Sequence, residues 1–246
     1  EETGKIEETP EISRQKIGRD SGWRFEGICG IIKRQNAAGA EILRRRQNGS
    51  PGASPGRNEA KTSMIDLILL AEGPKELDGG KLLAEEDGKP LYLHAFQAAR
   101  QTADAMLGLR VIVVTRPGVL DEAIRAFGFN KVVVSGCRSL SEAIVAGTKA
   151  ARSGASRCFL SCGRREVTGE QLTAFLQGYI LSGRPLGRMS SAGGGEGAMV
   201  FAPYLLPQLL ALKGEEDGSQ LFAGREGRTF SYDGSGREAA GPEKAE

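Results

Sequence analysis

Gly73, Gly79, Gly80 and Lys81 follow closely on an apolar run, Ile65-Asp66-Leu67-Ile68-Leu69-Leu70-Ala71. Glycine lets a backbone approach a phosphate because no Cβ intervenes, and a lysine ammonium neutralises phosphate charge. A strand, a glycine-bearing turn, a lysine and then a helix start is the layout of a phosphate-binding loop in an α/β domain. The ordinary alternative for Lys81 is a solvated loop lysine. Glu72, in the same turn, is either a metal carboxylate or a solvated one. Farther along, Arg164 and Arg165 offer two adjacent guanidinia that can neutralise an anion where no metal ion does.

These groups need a frame, and the pattern from residue 64 onward supplies one. Residues 65–70 read as a strand buried on both faces. Pro90 stands where a first helical turn tolerates it, and residues 91–105 carry apolar side chains at helical spacing. Residues 109–114 are rich in β-branched side chains and predict a second strand. A short helix over 120–127 ends at Gly128, and 131–134 is a third strand. Ser139 and Glu142 have capping-box spacing ahead of a helix running to about 152, and 157–160 is a fourth strand. Thr168 caps a helix to about 181, 198–201 is a strand, 203–212 a helix and 229–232 a last strand. This strand–helix alternation predicts an α/β fold of three layers with a mostly parallel sheet. Ligands of such sheets bind outside the carboxyl ends of the strands, where the loop after residue 70 falls.

The remaining segments differ. Residues 1–62 hold an acidic start, the basic knot Arg44-Arg45-Arg46 and a Gly/Pro/Ser linker, and are expected to be a flexible arm or the remnant of a preceding domain. Residues 233–246 read as a disordered polar tail, leaving 63–232 as the folded domain.

Composition narrows the function classes. A formal net charge of +2 gives no broad cationic surface, so neither nucleic acid nor an anionic membrane is an expected partner. No apolar run approaches the ~20 residues needed to span a bilayer. Four cysteines, Cys29, Cys137, Cys158 and Cys162, lack the spacing of a disulfide framework, which points to a reducing cytoplasm. His94 is the lone histidine and sits in the first predicted helix, a placement that suits packing better than a catalytic triad.

Five segments taken in order carry a resemblance. They are Leu69-Leu70-Ala71-Glu72-Gly73 with Lys81; Leu140-Ser141-Glu142-Ala143-Ile144-Val145-Ala146-Gly147; and Phe159-Leu160-Ser161-Cys162-Gly163-Arg164-Arg165-Glu166-Val167-Thr168. Met199-Val200-Phe201 with the 205–212 segment, and Glu216-Asp217-Gly218, complete the set. Together they resemble the MobA/MocA-like NTP transferases, the cytidylyl- and guanylyltransferases of molybdenum-cofactor biosynthesis. The resemblance implies a Rossmann-like nucleotide-diphospho-sugar transferase (GT-A-like) fold. It also implies nucleotide binding by Gly73, Lys81 and Ser141, Mg²⁺ as cofactor with Asp217 a candidate ligand, and transfer of CMP or GMP from CTP or GTP to a molybdopterin-type cofactor. The family's metal aspartate aligns with Gly163, flanked by Arg164 and Arg165. That departure implies the alternative of a catalytically inactive relative, a pseudoenzyme that binds a nucleotide or a protein partner in molybdoenzyme or selenoenzyme maturation.

Overall fold

An apolar strand with one acid inside it begins the described architecture. The computed structural model describes residues 64–71, 81–86, 88–118, 120–135, 137–190 and 196–233, all within the unit Asn48–Glu246. β1 (Ile65–Leu70) is buried along its whole length, as a strand without a polar face must be. A short hairpin, β2 (Glu85–Glu86) and β3 (Lys89–Pro90), leads into α1 (Leu91–Ala105), which begins immediately after Pro90. β4 (Leu109–Thr115), α2 (Asp121–Phe127) and β5 (Asn130–Val133) follow, with Gly128 closing α2 at φ +71°. Then come α3 (Leu140–Ala150), β6 (Ser156–Ser161), α4 (Gly169–Ser182), β7 (Leu186–Ser190), β8 (Glu196–Phe201), α5 (Leu206–Leu210) and β9 (Thr229–Tyr232). The expected flexible arm at 1–62 and tail at 233–246 lie outside the described residues, apart from Asp233.

Seven strands form one sheet in the order β5-β4-β1-β6-β8-β7-β9. β1 pairs in parallel with β4 and β6, β4 with β5, and β7 with β9, while β8 runs antiparallel to β6 and β7. The sheet is therefore mostly parallel and belongs to an α/β fold, as the strand–helix alternation predicts. α3 and α5 cover one face through Ala143, Ile144 and Leu209, against Ile68, Leu70, Ile112 and Val114. On the other face α4 lies over β7 and β9, where Gly187 approaches Tyr179 and Phe175, and Gly178 approaches Phe230. α1 packs beside α4, and edge-on ring contacts of Phe96 with Phe127 and Phe129 tie α2 to α1.

Two departures from the sequence reading have physical causes. β7 reads poorly as a strand because Gly187 and Arg188 interrupt it, yet Gly187 is what the packing demands. A Cβ there would sit 2.6 Å from Val200 Cγ1 and 3.0 Å from Tyr179 Cδ2. The expected helix over 203–212 is instead a 3-10 turn, Pro203–Leu205, followed by α5. Pro207 forces the break: inside a continuous helix it would lose a backbone bond and clash, whereas at the start of α5 it does neither.

Asp66 is fully buried in β1 and accepts four hydrogen bonds. Arg110 donates Nη2 to Oδ2 at 2.7 Å and Nε to Oδ1 at 3.3 Å. Arg152 donates its backbone N–H to Oδ2 at 2.6 Å and Nε to Oδ1 at 2.7 Å. Burial alone would push the Asp66 carboxyl up; the bonds from Arg110 and Arg152 hold it below the usual carboxylate range. Both guanidinia then tie neighbouring elements together, Arg110 to Ala150 O at the end of α3, and Arg152 to Ile65 O and Gly108 O. Close approach fixes the same helix from its other side, since a Cβ on Gly147 would lie 2.6 Å from Ile68 Cγ2 and 3.1 Å from Val114 Cγ2.

Two outcomes are expected. Gly147→Ala overpacks the α3–β1 contact and destabilises the domain by about 1–3 kcal/mol, read as a lower urea midpoint. Asp66→Asn leaves two half-exposed arginines around a buried amide and costs about 3 kcal/mol, the low end for breaking a buried pair. The wild-type contribution has a definite sign, because the folded carboxyl binds its proton at lower pH than the unfolded one. Its stabilisation is complete above the usual carboxylate range and disappears as pH falls through the depressed value. The acid limb of a stability–pH profile is therefore flatter in Asp66→Asn than in wild type.

Candidate functional site

The chain winds outward from β1 to β4 and β5, then returns to place β6 on the opposite side of β1. Strand order thus switches between β1 and β6, and the crevice outside their carboxyl ends is the expected binding position. Backbone hydrogen bonds extend the sheet past the strand ends there. The N–H of Ala71 donates to Val114 O and the N–H of Cys162 donates to Leu70 O, both at 2.9 Å. Because β8 is antiparallel, its first residue, Glu196, begins at this same edge.

Gly73 and Glu72 lie outside the described residues. The backbone of Lys81 opens a 3-10 turn, Lys81–Leu83, in which Leu82 is buried. That turn is joined to α1 by a hydrogen bond from Leu91 N–H to Ala84 O at 3.0 Å.

The turn after β6 is tight and oxygen-poor. Gly163 donates its N–H to Ser161 Oγ at 3.1 Å, and Arg164 its N–H to Ser161 O at 3.2 Å. Arg164 is exposed, and its guanidinium has no hydrogen-bond or ion-pair partner among the described residues. Arg165 pairs with Glu86 at 3.1 Å, both about half exposed, and so links this turn to the β2–β3 hairpin. Cys162 is fully buried, and burial pushes the Cys158 thiol far up, which removes any thiolate from β6.

Ser141 stands in the first turn of α3 and is buried. Its Oγ lies 3.0 Å from the Oγ of the capping Ser139, and its N–H donates to Gly214 O at 3.3 Å. Ser139 accepts the Glu142 N–H as the spacing predicts, but the Glu142 carboxylate accepts from Arg138 N–H instead of completing the box. A reciprocal box forms at Thr168–Gln171, ahead of α4. Asp217 belongs to the segment that meets α3 at Gly214. Its Oδ1 accepts the Ser219 N–H at 2.9 Å, and the following Gly218, at φ +91°, packs on the Phe201 ring.

Mg²⁺ takes carboxylate oxygen from one or two residues and completes its shell with water and phosphate. The end of β6 offers no side-chain oxygen at Gly163 and a guanidinium next to it. Among the described residues no group of three His, Cys, Asp or Glu could hold a metal ion. A glycine beside a guanidinium at this turn suits an anion better than a divalent cation. Thr115, which ends β4 at this edge, is a polar group the sequence reading passed over by ending the strand at Val114. It is buried, its Oγ1 has no hydrogen-bond partner among the described residues, and the signal is a hydroxyl closing an otherwise apolar strand. His94 lies in α1, and no helix among the described residues is long and apolar enough to cross a membrane.

The sequence matches no protein-family model and no curated protein. Solved structures do resemble it. Rv0371c from Mycobacterium tuberculosis H37Rv is similar at 18% identity and a TM-score of 0.55, over 70% of this chain and 89% of that one. A manganese complex of the same protein matches at 20% identity and a TM-score of 0.51, with the same coverage. CMP:2-keto-3-deoxy-manno-octonic acid synthetase complexed with CTP matches at 17% identity and a TM-score of 0.53, over 73% of this chain and 94% of that one. At such identities the likeness shows the fold alone, an α/β fold with a mostly parallel sheet.

Proposed function

We propose that this chain binds a nucleoside triphosphate, CTP or GTP, at the carboxyl edge of β1 and β6. By resemblance to the MobA/MocA group, its reaction is transfer of CMP or GMP to a molybdopterin-type cofactor. In this reading the backbone at Gly73 and the Lys81 ammonium hold the phosphates, Ser141 orders the start of α3 beside them, and Arg164 meets the remaining phosphate charge. The observation that carries the reading is the exposed Arg164 guanidinium beside the strand-order switch, without a hydrogen-bond or ion-pair partner among the described residues. The CTP complex of a neighbour in fold supports the ligand class, and the manganese complex of another supports divalent-metal use among such folds. Mg²⁺, with Asp217 as a candidate ligand, belongs to the transferase reading.

One observation favours a second reading. Gly163 stands where a carboxylate would hold the metal, and phosphoryl transfer depends on neutralising the charge that develops at the phosphates. Guanidinium alone suits holding a nucleotide. The second function is accordingly that of an inactive relative that binds a nucleotide, or a protein partner in molybdoenzyme or selenoenzyme maturation.

Calorimetric titration with CTP and with GTP, each with and without Mg²⁺, tests both. Mg²⁺-dependent binding with pyrophosphate release on adding the acceptor supports transfer, and Mg²⁺-independent binding without release supports the second reading. Arg164→Gln removes one charge-assisted contact and weakens nucleotide binding about tenfold. Absence of binding by either nucleotide would sink the proposal.

A further inference from the structure

At the opposite end of the sheet lies a small cavity of about 180 Å³, lined by Pro185, Tyr204, Leu205, Gln208, Arg225 and Arg228 among others. Its position follows from the strand register. Leu186, also in the lining, pairs with Phe201, and Phe201 pairs with Arg157 at the amino end of β6. Four residues of β6, roughly 13 Å of strand, separate that end from Ser161, so this cavity is distinct from the proposed nucleotide edge.

Its chemistry is one-sided. Arg225 precedes and Arg228 ends a 3-10 turn, Glu226–Arg228, and a spacing of three residues puts them on one side of it. Arg225 Nη1 donates to Gln208 Oε1 at 3.1 Å and to Leu221 O at 3.0 Å, which orients the guanidinium and leaves its Nε and Nη2 unused. Arg228 Nη2 donates to the Tyr204 hydroxyl at 3.4 Å, leaving its Nε and Nη1 unused. No carboxylate lines the cavity, and neither arginine has an ion pair among the described residues. Glu226, between them in sequence, uses Oε1 to accept the Gly224 N–H. Two guanidinia held near one another without a counter-charge repel unless an anion lies between them, and their planar forks match the oxygens of a phosphate. Tyr204, 60% exposed beside Pro185, adds an apolar face at the mouth.

We propose that this cavity is a second anion site, which takes a phosphate group, free or as the terminus of a small phosphomonoester, on Arg225 and Arg228. The test is calorimetric titration of the full chain carrying Arg164→Gln, so that anion binding at the other edge does not contribute, with ionic strength held constant by NaCl. Inorganic phosphate is expected to give one saturable event with a dissociation constant on the order of 1 mM. Adding Arg228→Gln, at an exposed side chain whose loss leaves the circular dichroism unchanged, weakens it at least tenfold, and Arg228→Lys restores part of the loss. Phenyl phosphate distinguishes the sources: tighter binding than inorganic phosphate assigns the site to a phosphomonoester lying on Tyr204, and equal binding assigns it to free phosphate. No saturable binding of either probe, or equal affinity with and without Arg228, overturns the proposal.

Discussion

A fully buried carboxylate cannot remain ionised unless donors replace the water it has lost, and Asp66 meets that condition only in one arrangement of the chain. Its oxygens need Arg110 from β4 and both the backbone and side chain of Arg152, which follows α3. A third cation, Arg157, is nearly fully buried on the adjacent strand. Burial lowers its proton affinity and the charge of Asp66 raises it. The cluster therefore joins β1, β4, β6 and the end of α3 at the amino side of the sheet. Slipping any of these strands by one residue would turn Asp66, Arg110 or Arg157 to the other face and leave charge buried without a partner. Register at the amino side fixes register at the carboxyl side, and so the alignment of Ala71, Thr115 and Cys162 where the strands end.

The carboxyl edge inherits that rigidity, and its chemistry is set by a few side chains in the loops. The turn after β6 closes on its own serine, leaving a glycine and an arginine at a position suited to a ligand. One of the two neighbouring arginines is bound to the hairpin ahead of α1 while the other has no partner among the described residues, so residues that look equivalent in the sequence have different surroundings. The antiparallel β8 begins at this edge, although 30 or more residues of chain separate its start from β6. An antiparallel strand inside a parallel sheet is what makes that placement possible.

Much of the frame could be read from local pattern. α1 runs over residues 91–105 as its spacing indicates, Gly128 ends α2 in the left-handed conformation, and Thr168 caps α4 through a complete capping box. These are short-range effects in which a residue's own chemistry decides its neighbours' conformation. Long-range contacts were harder to read. Asp66 passes for a polar interruption in an apolar run until Arg110 and Arg152, 44 and 86 residues away, are beside it. Gly147, an unremarked residue of a helix motif, proves to be where that helix touches β1 and β4. Gly187 lowers the strand propensity of β7, yet only hydrogen fits against Val200 and Tyr179.

The sequence by itself determined the α/β class and the order of most strands and helices, because periodicity, capping residues and residue identity are local properties. The tertiary structure decided what sequence spacing cannot encode. It ran β8 against its neighbours, paired Arg165 with Glu86, and gathered Arg225, Arg228 and Tyr204 around a cavity at the far edge. Each of these depends on which distant segments meet. That is settled by burying apolar faces and by partnering the charges that burial encloses.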